Sequence, residues 1–312
     1  MQLVRTTTKP ARSINPSVAT TGNFDGVHIA HQAMINYVVE LSQTHALRSI
    51  LINFEPTPKE HFLGANAPAR IYNFREKFEV IQSMNIDQFI CLRFSETFAK
   101  MAAEDFIKDI LFDHLQIKHL IVGDDFRFGH GRQGDTTMLR TMGDQLGFKV
   151  HDQNTVLHAT TRVSSSLIRE QLAASNFTLI DSLLGRPYTM SGRVIHGEKK
   201  GRTIGFPTAN ILLKRQVSPL HGVFAIRANN ETQTWDGLAN IGNRPTVNGQ
   251  RVQLEAHLFD CDRNLYGQRL HITPLYKIRD EIKFPSFSDL QKQIILDAQQ
   301  ARIYFKKGHN PA

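Results

Sequence analysis

The feature that most restricts how this chain can fold is a change in the period of its apolar residues near Leu184. Before it, short β-like runs alternate with helical patterns. Val18–Thr21 reads as a strand leading into Gly22-Asn-Phe-Asp-Gly26. His31, Ile35, Val38 and Val39 then fall at i, i+4, i+7 and i+8, the apolar stripe of a helix. Arg48–Phe54 reads as a strand closed by Pro56 and Pro58. Strands at Gln88–Leu92, His119–Val122 and Phe148–His151 are expected among helices at Phe74–Met84, Ala103–Leu111 and Thr136–Leu146. Strand–helix alternation predicts an α/β domain, a parallel sheet with helices on both faces. Such a sheet binds ligands beyond the carboxyl ends of its strands, where Gly22–His28 and Gly123–Gly134 are expected to lie.

Gly185-Arg-Pro187 breaks the pattern, and strands dominate afterwards: Tyr188–His196, Gly222–Ala228, Thr234–Ile241, Val252–Phe259 and Arg269–Ile278. Turn residues separate them, so the second half is expected to be all-β, a barrel or a sandwich. A last helix is expected from Ser288, where Ser-x-x-Gln291 is a capping-box pattern. The 312 residues suit two domains, 1–184 and 185–312.

Charge is divided along the same line. Residues 1–184 hold 18 Lys+Arg and 19 Asp+Glu, whereas residues 185–312 hold 19 and 10, which places the whole excess of +8 in the second half. No block reaches five like charges, and one Trp with no aromatic-rich basic motif offers little to a nucleic acid. No run approaches the roughly 18 apolar residues of a membrane span. Met1–Pro16 carries Arg5, Lys9 and Arg12 without an apolar stretch, which argues against a secretory signal. Cys91 and Cys261 stand far apart, outside any CxxC pattern, and fit buried thiols in a reducing cytosol better than a disulfide or zinc site.

Three segments of the first half carry candidate chemistry. His28-Ile-Ala-His31 puts two imidazoles on one face of a first helical turn, where free N–H groups collect anions. Taken alone, the pair reads more simply as a strand-ending His28 and a core-packed His31. Ser164-Ser165-Ser166 before a helix, with Arg169 one turn in, is either a phosphate clamp or a capped helix with a solvated arginine. Gly129-His-Gly131-Arg-Gln-Gly134, with Asp152 beyond it, fits the dinucleotide-binding GxGxxG and would suit an oxidoreductase. However, Asp124–Phe128 intervene where that fingerprint needs an immediate turn.

The second half has its densest segment at His196–Asn210. Gly197, Gly201 and Gly205 make a basic loop able to wrap phosphates, and Pro207 presents Thr208 and Asn210, hard oxygen donors suited to nucleotide-borne Mg²⁺. A hairpin loop with solvated lysines explains the same residues. Glu255, acidic in an otherwise apolar strand, is either an outward charge beside Gln253 and His257 or a general base toward a hydroxyl attacking a γ-phosphate. Arg279 is a rim charge or a ligand contact.

Gly22-Asn-Phe-Asp-Gly-Val-His28-Ile-Ala-His31, Phe54-Glu-Pro-Thr-Pro58, Val122-Gly-Asp-Asp125-Phe-Arg-Phe-Gly129 and Val163–Arg169 occur in this order. Together they resemble the adenylylating module of bacterial bifunctional riboflavin kinase/FAD synthetases. Gly201–Asn210, Gly222–Ala225, Asn240–Thr246, Leu254–His257 and Leu265–Gly267 look like the riboflavin kinase module of the same family. The resemblance implies a nucleotidyltransferase-type, Rossmann-like sheet domain (FMN adenylyltransferase, 1–184) followed by a six-stranded riboflavin kinase barrel (185–312).

It further implies ATP contacts at Gly22, Phe24, Asp25, Asp125, Ser164, Ser165, Ser166, Gly201 and Gly205, with His28, His31 and Arg169 on the phosphates. Thr208 and Asn210 would meet Mg²⁺–ATP, Glu255 would be the catalytic base, and Arg279 would lie on the flavin side. The implied partners are ATP, riboflavin and FMN, with no nucleic acid, no membrane and at most a weak homo-oligomer. Two departures are visible: the family's HxGH has Ala30 in place of glycine, and Ser166 replaces a threonine. If residue 30 sits at positive φ or touches adenine, ATP binding would weaken and only the kinase would remain active.

Overall fold

The computed structural model describes residues 1–6, 9–196, 206–213, 215, 217–246 and 249–308. The chain divides into two compact units, Met1–Pro68 with Lys77–Ser164, and Ala69–Glu76 with Ser165–Ala312.

In the first unit, β1 Gln2–Thr6, β2 Ser17–Thr21, β3 Arg48–Glu55, β4 Gln88–Arg93, β5 Ile117–Gly123 and β6 Lys149–Gln153 form one six-stranded sheet, ordered β1-β4-β3-β2-β5-β6. Every pairing is parallel. All five residues of β2 are buried, as expected of a central strand covered on both faces. Order reverses across β2: β3, β4 and β1 follow on one side, β5 and β6 on the other. The loops after β2 and β5 therefore leave neighbouring carboxyl ends at the switch point.

The helices here are α1 Ile29–Thr44, α2 Pro58–Leu63, α3 Phe74–Gln82 from Lys77 onward, α4 Glu96–Ala99, α5 Ala103–Asp105, which runs on as a π-helix over Phe106–His114, and α6 Thr136–Leu146. Asp135 caps α6 by accepting the Met138 N–H, and Gly147 ends it at φ +77°. Ile50, Ile52, Ile90, Leu120 and Val122 pack against Phe106, Ile107, Ile110 and Leu111 in one core. A small hairpin, β7 Leu157–His158 with β8 Thr161–Arg162, precedes the serine run. β1 is absent from the expectation because it is a largely exposed edge strand with little apolar signal.

In the second unit, β9 Met190–Ile195, β10 Ala209–Leu212, β11 Gly222–Asn229, β12 Thr234–Thr246, β13 Gly249–Leu258 and β14 Arg269–Arg279 close an antiparallel barrel ordered β10-β13-β12-β11-β14-β9. The six-stranded closure is the one the resemblance implies. Five of its strands are legible from apolar runs, but β10 is four residues directly after Pro207-Thr208 and reads as loop. Gly192 lets β9 lie against β10, since a Cβ there would come 2.4 Å from the Leu212 carbonyl.

Helices α7 Ser165–Ala173 and α8 Phe177–Leu184 precede the barrel, and α9 Phe287–Lys306 packs Ala298 and Ala301 on Val223, Ala225 and Phe259. The cap of α9 is Ser286, whose hydroxyl accepts the Asp289 N–H at 3.1 Å, and the expected start at Ser288 is two residues late.

Residues 69–76 belong to this unit through a buried ion pair. Arg215 Nη2 donates to Glu76 Oε2 at 2.5 Å, with side chains 1% and 5% exposed. Arg215 also donates to the Arg70 and Ile71 carbonyls at 2.9 Å, and Glu76 accepts the Ser191 and Asn73 N–H groups.

Candidate active sites

The loop after β2 is tightly folded. Phe24, Gly26 and Val27 all have positive φ (+47°, +82° and +44°), and for the two non-glycines this is a strained conformation of the kind that persists where surrounding structure enforces it. Two clamps are visible. Gly22 N–H donates to the Ile52 carbonyl at 3.0 Å, and its missing side chain makes room for the Phe24 ring, which a Cβ would approach to 3.3 Å. Lys77, 2% exposed, donates to the Asn23 carbonyl at 2.8 Å and to Asn53 Oδ1 at 2.7 Å.

His28 caps α1. Its Nδ1 accepts the His31 N–H at 3.3 Å, which in the neutral ring leaves the proton on Nε2 as a donor. The two imidazoles stack at 3.6 Å with 16° between planes, and the Phe24 ring meets His31 edge-on at 5.2 Å. A stacked pair of imidazoles thus stands at the amino end of a 16-residue helix, where free amides attract anions. Buried Asp25 lies in the same loop.

Ala30 is the second residue of α1 and keeps a negative φ, so the departure from glycine carries no backbone strain. The conformational ground for an impaired first half is removed.

Asp125 lies in the loop after β5, highly exposed, 3.3 Å from Arg162 Nη2, which also pairs with Asp124 at 3.0 Å. Ser164 ends the first unit, while Ser165, Ser166 and Arg169 fall in the second, in the first turns of α7. Arg169 Nε donates to the Ala69 carbonyl at 2.6 Å, so its guanidinium is anchored rather than freely solvated.

Gly129 and Gly134 are packing residues. A Cβ on Gly129 would come 2.7 Å from Ala103, and one on Gly134 would come 2.7 Å from the Phe128 ring. Phe128 and Gly134 bridge each other, and Asp152 is paired with Arg140. With its first and last glycines wedged against their own core, and Asp124–Phe128 standing between the end of β5 and Gly129, the segment does not form the immediate open turn a dinucleotide needs, and the oxidoreductase reading fails there.

In the barrel, Glu255 on β13 stands directly opposite Asn210 on β10 and Asn240 on β12. Leu254, Ala256 and Leu258 are buried, whereas Gln253, Glu255 and His257 share the other, partly open side. Asn210 is 8% exposed and its Oδ1 accepts from Gln253 Nε2 at 2.5 Å, leaving the second lone pair of the amide oxygen. His257 Nδ1–H donates to the Pro207 carbonyl at 2.9 Å and holds the turn that presents Thr208. Burial pushes the pKa of His257 down from the usual 6.5, although the Pro207 bond opposes this.

Thr208 lines a cleft of about 420 Å³ with Pro207, Ala256, Asp262, Asn264 and Tyr266, a size that suits a small ligand. Gly201 and Gly205 lie outside the described residues. Arg279 closes β14, and its guanidinium is gripped by buried Asp297 of α9.

Lys77 and Asp297 are absent from the sequence expectation, and His257 enters it only as a neighbour of Glu255. For Lys77 and Asp297 a signal exists. Lys77 follows Phe74 by three and precedes Ile81 by four, and Asp297 stands in the same relation to Ile294 and Ala301. A charge inside an apolar stripe has to find a partner.

Residues 11–167 match the FAD synthetase family model and residues 184–305 the riboflavin kinase model. The chain is 44% identical over 306 residues to a bifunctional riboflavin kinase/FMN adenylyltransferase of Haemophilus influenzae, covering 98% of this chain and 99% of the relative. It is 45% identical over 289 residues to the protein of that description in Escherichia coli K12, covering 92% of each. A crystal structure from Streptococcus pneumoniae, described as a macrolide-efflux protein, superposes with a TM-score of 0.81 at 26% identity, over 96% of this chain and 98% of that one.

Proposed function

The chain belongs to the bifunctional riboflavin kinase/FMN adenylyltransferase family, and we propose how its residues divide the two reactions. The enzyme phosphorylates riboflavin to FMN with ATP and adenylylates FMN to FAD with release of pyrophosphate.

In the kinase half, Glu255 accepts the proton of the ribityl 5′-hydroxyl as its oxygen bonds to the γ-phosphorus and the bond to ADP breaks. The facing position of Asn210 and Glu255 on adjacent strands is the observation that carries this reading. It pairs the acid in register with a buried oxygen-bearing residue two positions beyond Thr208, which supports the reading.

The Thr208 hydroxyl and the Asn210 amide oxygen fit Mg²⁺ bound to ATP. Among the described residues no group of three or more His, Cys, Asp or Glu could hold a metal ion, so the protein would contribute few of its ligands. Bound Mg²⁺ supplies neutralisation of phosphate charge. Gly201 and Gly205 would complete the wrap around ATP, and Arg279 would face the flavin.

In the adenylylating half, an FMN phosphate oxygen attacks the α-phosphorus of a second ATP and pyrophosphate leaves. Gly22, Phe24 and Asp25 shape the pocket, and Asp125 contacts the nucleotide. His28 and His31 donate to the phosphates at the start of α1, while Ser164, Ser165, Ser166 and Arg169 hold the triphosphate. Charge developing on pyrophosphate is thereby met by preset donors, with no protein nucleophile. We assign this half to residues 1–184 and the kinase to 185–312.

The site of action we propose is the cytoplasm, with small-molecule substrates, no nucleic acid or membrane partner and at most weak self-association. Free Cys91 and Cys261 and the absence, among described residues, of a helix long and apolar enough to cross a membrane support this.

Chromatography of products tests the division. Glu255→Gln should lower FMN formation from riboflavin by at least about 100-fold, while FAD formation from supplied FMN continues. FMN formation at the wild-type rate would remove Glu255 as the base.

A further inference from the structure

We propose that Asp297, on α9, is a positioning residue for riboflavin phosphorylation, acting through Arg279. The inference rests on the reading that Arg279 lies on the flavin side of the kinase site.

Asp297 is 1% exposed, and a carboxylate so far from water has to be paired. Arg279 supplies the partner: Nε lies 3.0 Å from both carboxylate oxygens and Nη2 lies 2.7 Å from Oδ2. Gln293, one turn earlier on α9, donates to Oδ1 at 2.9 Å and fixes the carboxylate in turn. The guanidinium has two more restraints, a bond from Nη1 to the Asp280 carbonyl at 2.9 Å and the Phe284 ring 5.6 Å away.

Donor arithmetic then decides what Arg279 can still do. A guanidinium has five N–H groups. Nε–H and one Nη2–H are taken by Asp297, and one Nη1–H by Asp280. One N–H remains on each terminal nitrogen. Each can donate to an oxygen acceptor such as a ring carbonyl or a phosphate. With its plane gripped by Asp297 and Asp280, the guanidinium is preset before substrate arrives, and no long side chain has to be ordered on binding.

The contact also ties the barrel's last strand to the terminal helix, so a purely structural clamp is the competing account. The two separate in steady-state kinetics of the full chain with Asp297→Asn, Asp297→Glu, Arg279→Gln and the double variant Arg279→Gln/Asp297→Asn. We expect Asp297→Asn to raise KM for riboflavin about tenfold, the scale of supporting-residue effects at bound sites. KM for ATP should stay within about twofold and adenylylation of supplied FMN should not change. Arg279→Gln should do at least as much, and the double variant no more than Arg279→Gln alone, as expected of residues that act as a unit. Asp297→Glu, which keeps the charge, should fall between wild type and Asp297→Asn. It replaces Asp297→Asn as the deciding variant if that protein does not fold.

A raised riboflavin KM in Arg279→Gln, with Asp297→Asn and Asp297→Glu changed only in thermal stability, would make Asp297 a structural clamp and overturn the proposal. An unchanged riboflavin KM in Arg279→Gln would instead overturn the flavin-side reading of Arg279, and the proposal with it.

Discussion

At residue scale, His28 has two duties that substitution can separate. It accepts the His31 N–H as the cap of α1, and its ring stacks on His31. Asparagine caps a helix well and alanine does not, a difference of about 1 kcal/mol. His28→Asn should therefore melt close to the wild type, while His28→Ala should lose about that amount in chemical denaturation. Both should lose FAD synthesis from FMN by at least about tenfold, the scale of one lost phosphate donor. Equal FAD synthesis in wild type and His28→Asn would restrict His28 to capping. The spacing of His28 and His31 is legible in the sequence because three residues is nearly one helical turn. Their stacking depends on the turn of positive φ at Phe24, Gly26 and Val27 and on Lys77 behind it, contacts that no local pattern announces.

At element scale, period and turn chemistry locate most strands and helices, since each buries a face that must repeat every two or about 3.6 residues. Elements too short or too exposed to repeat, β10 and β1, go unread. The largest feature hidden from the sequence is the segment 69–76. Glu76 and Arg215 stand 139 positions apart, and each looks like a surface charge until the fold buries both. Removing one partner of such a pair costs about 3–5 kcal/mol, whereas exchanging both for apolar groups of similar volume is far milder. Glu76→Ala should lower the unfolding free energy on that scale. Glu76→Leu combined with Arg215→Met should recover part of the loss, though not the acceptor for the Ser191 and Asn73 N–H groups. A double-mutant cycle by urea denaturation measures this. A loss under about 1 kcal/mol for Glu76→Ala would show that the pair is not what holds the segment.

At the scale of the whole molecule, partly buried histidines whose pKa values are pushed down predict a loss of stability toward acid. His119 Nδ1 and His151 Nε2 share a hydrogen bond at 2.9 Å, His45 stacks on His119 at 4.5 Å, and the Tyr37 hydroxyl is 3.4 Å from His151. Desolvation pushes both pKa values down from 6.5, reinforced for His119 by His45, His151 and Lys149. For His151, Lys149, His45 and Arg140 act in the same direction, against Asp152. His257 in the barrel is shifted the same way by burial. Lowered folded values mean that the unfolded chain takes up protons first. The stability these groups contribute is complete above their unfolded value near 6.5 and is lost as pH falls through it toward the folded values. Urea midpoints should therefore drop between pH 7.5 and 5.5. His151→Phe, which removes the shared proton, should flatten that drop, and an undiminished slope would place the acid sensitivity elsewhere.

The sequence by itself determined the two fold classes, the strand-to-helix site at Gly22–His31 and the oxygen-rich turn at Thr208–Asn210. Each of these is written in neighbours a few positions apart, where steric and periodic rules act. Only the tertiary structure decided that Glu255 faces Asn210, that Lys77 braces the loop, that Gly129 and Gly134 serve packing, and that Asp297 grips Arg279. Those pairings join residues distant in the chain, and their energy arises only when folding removes water from both partners at once.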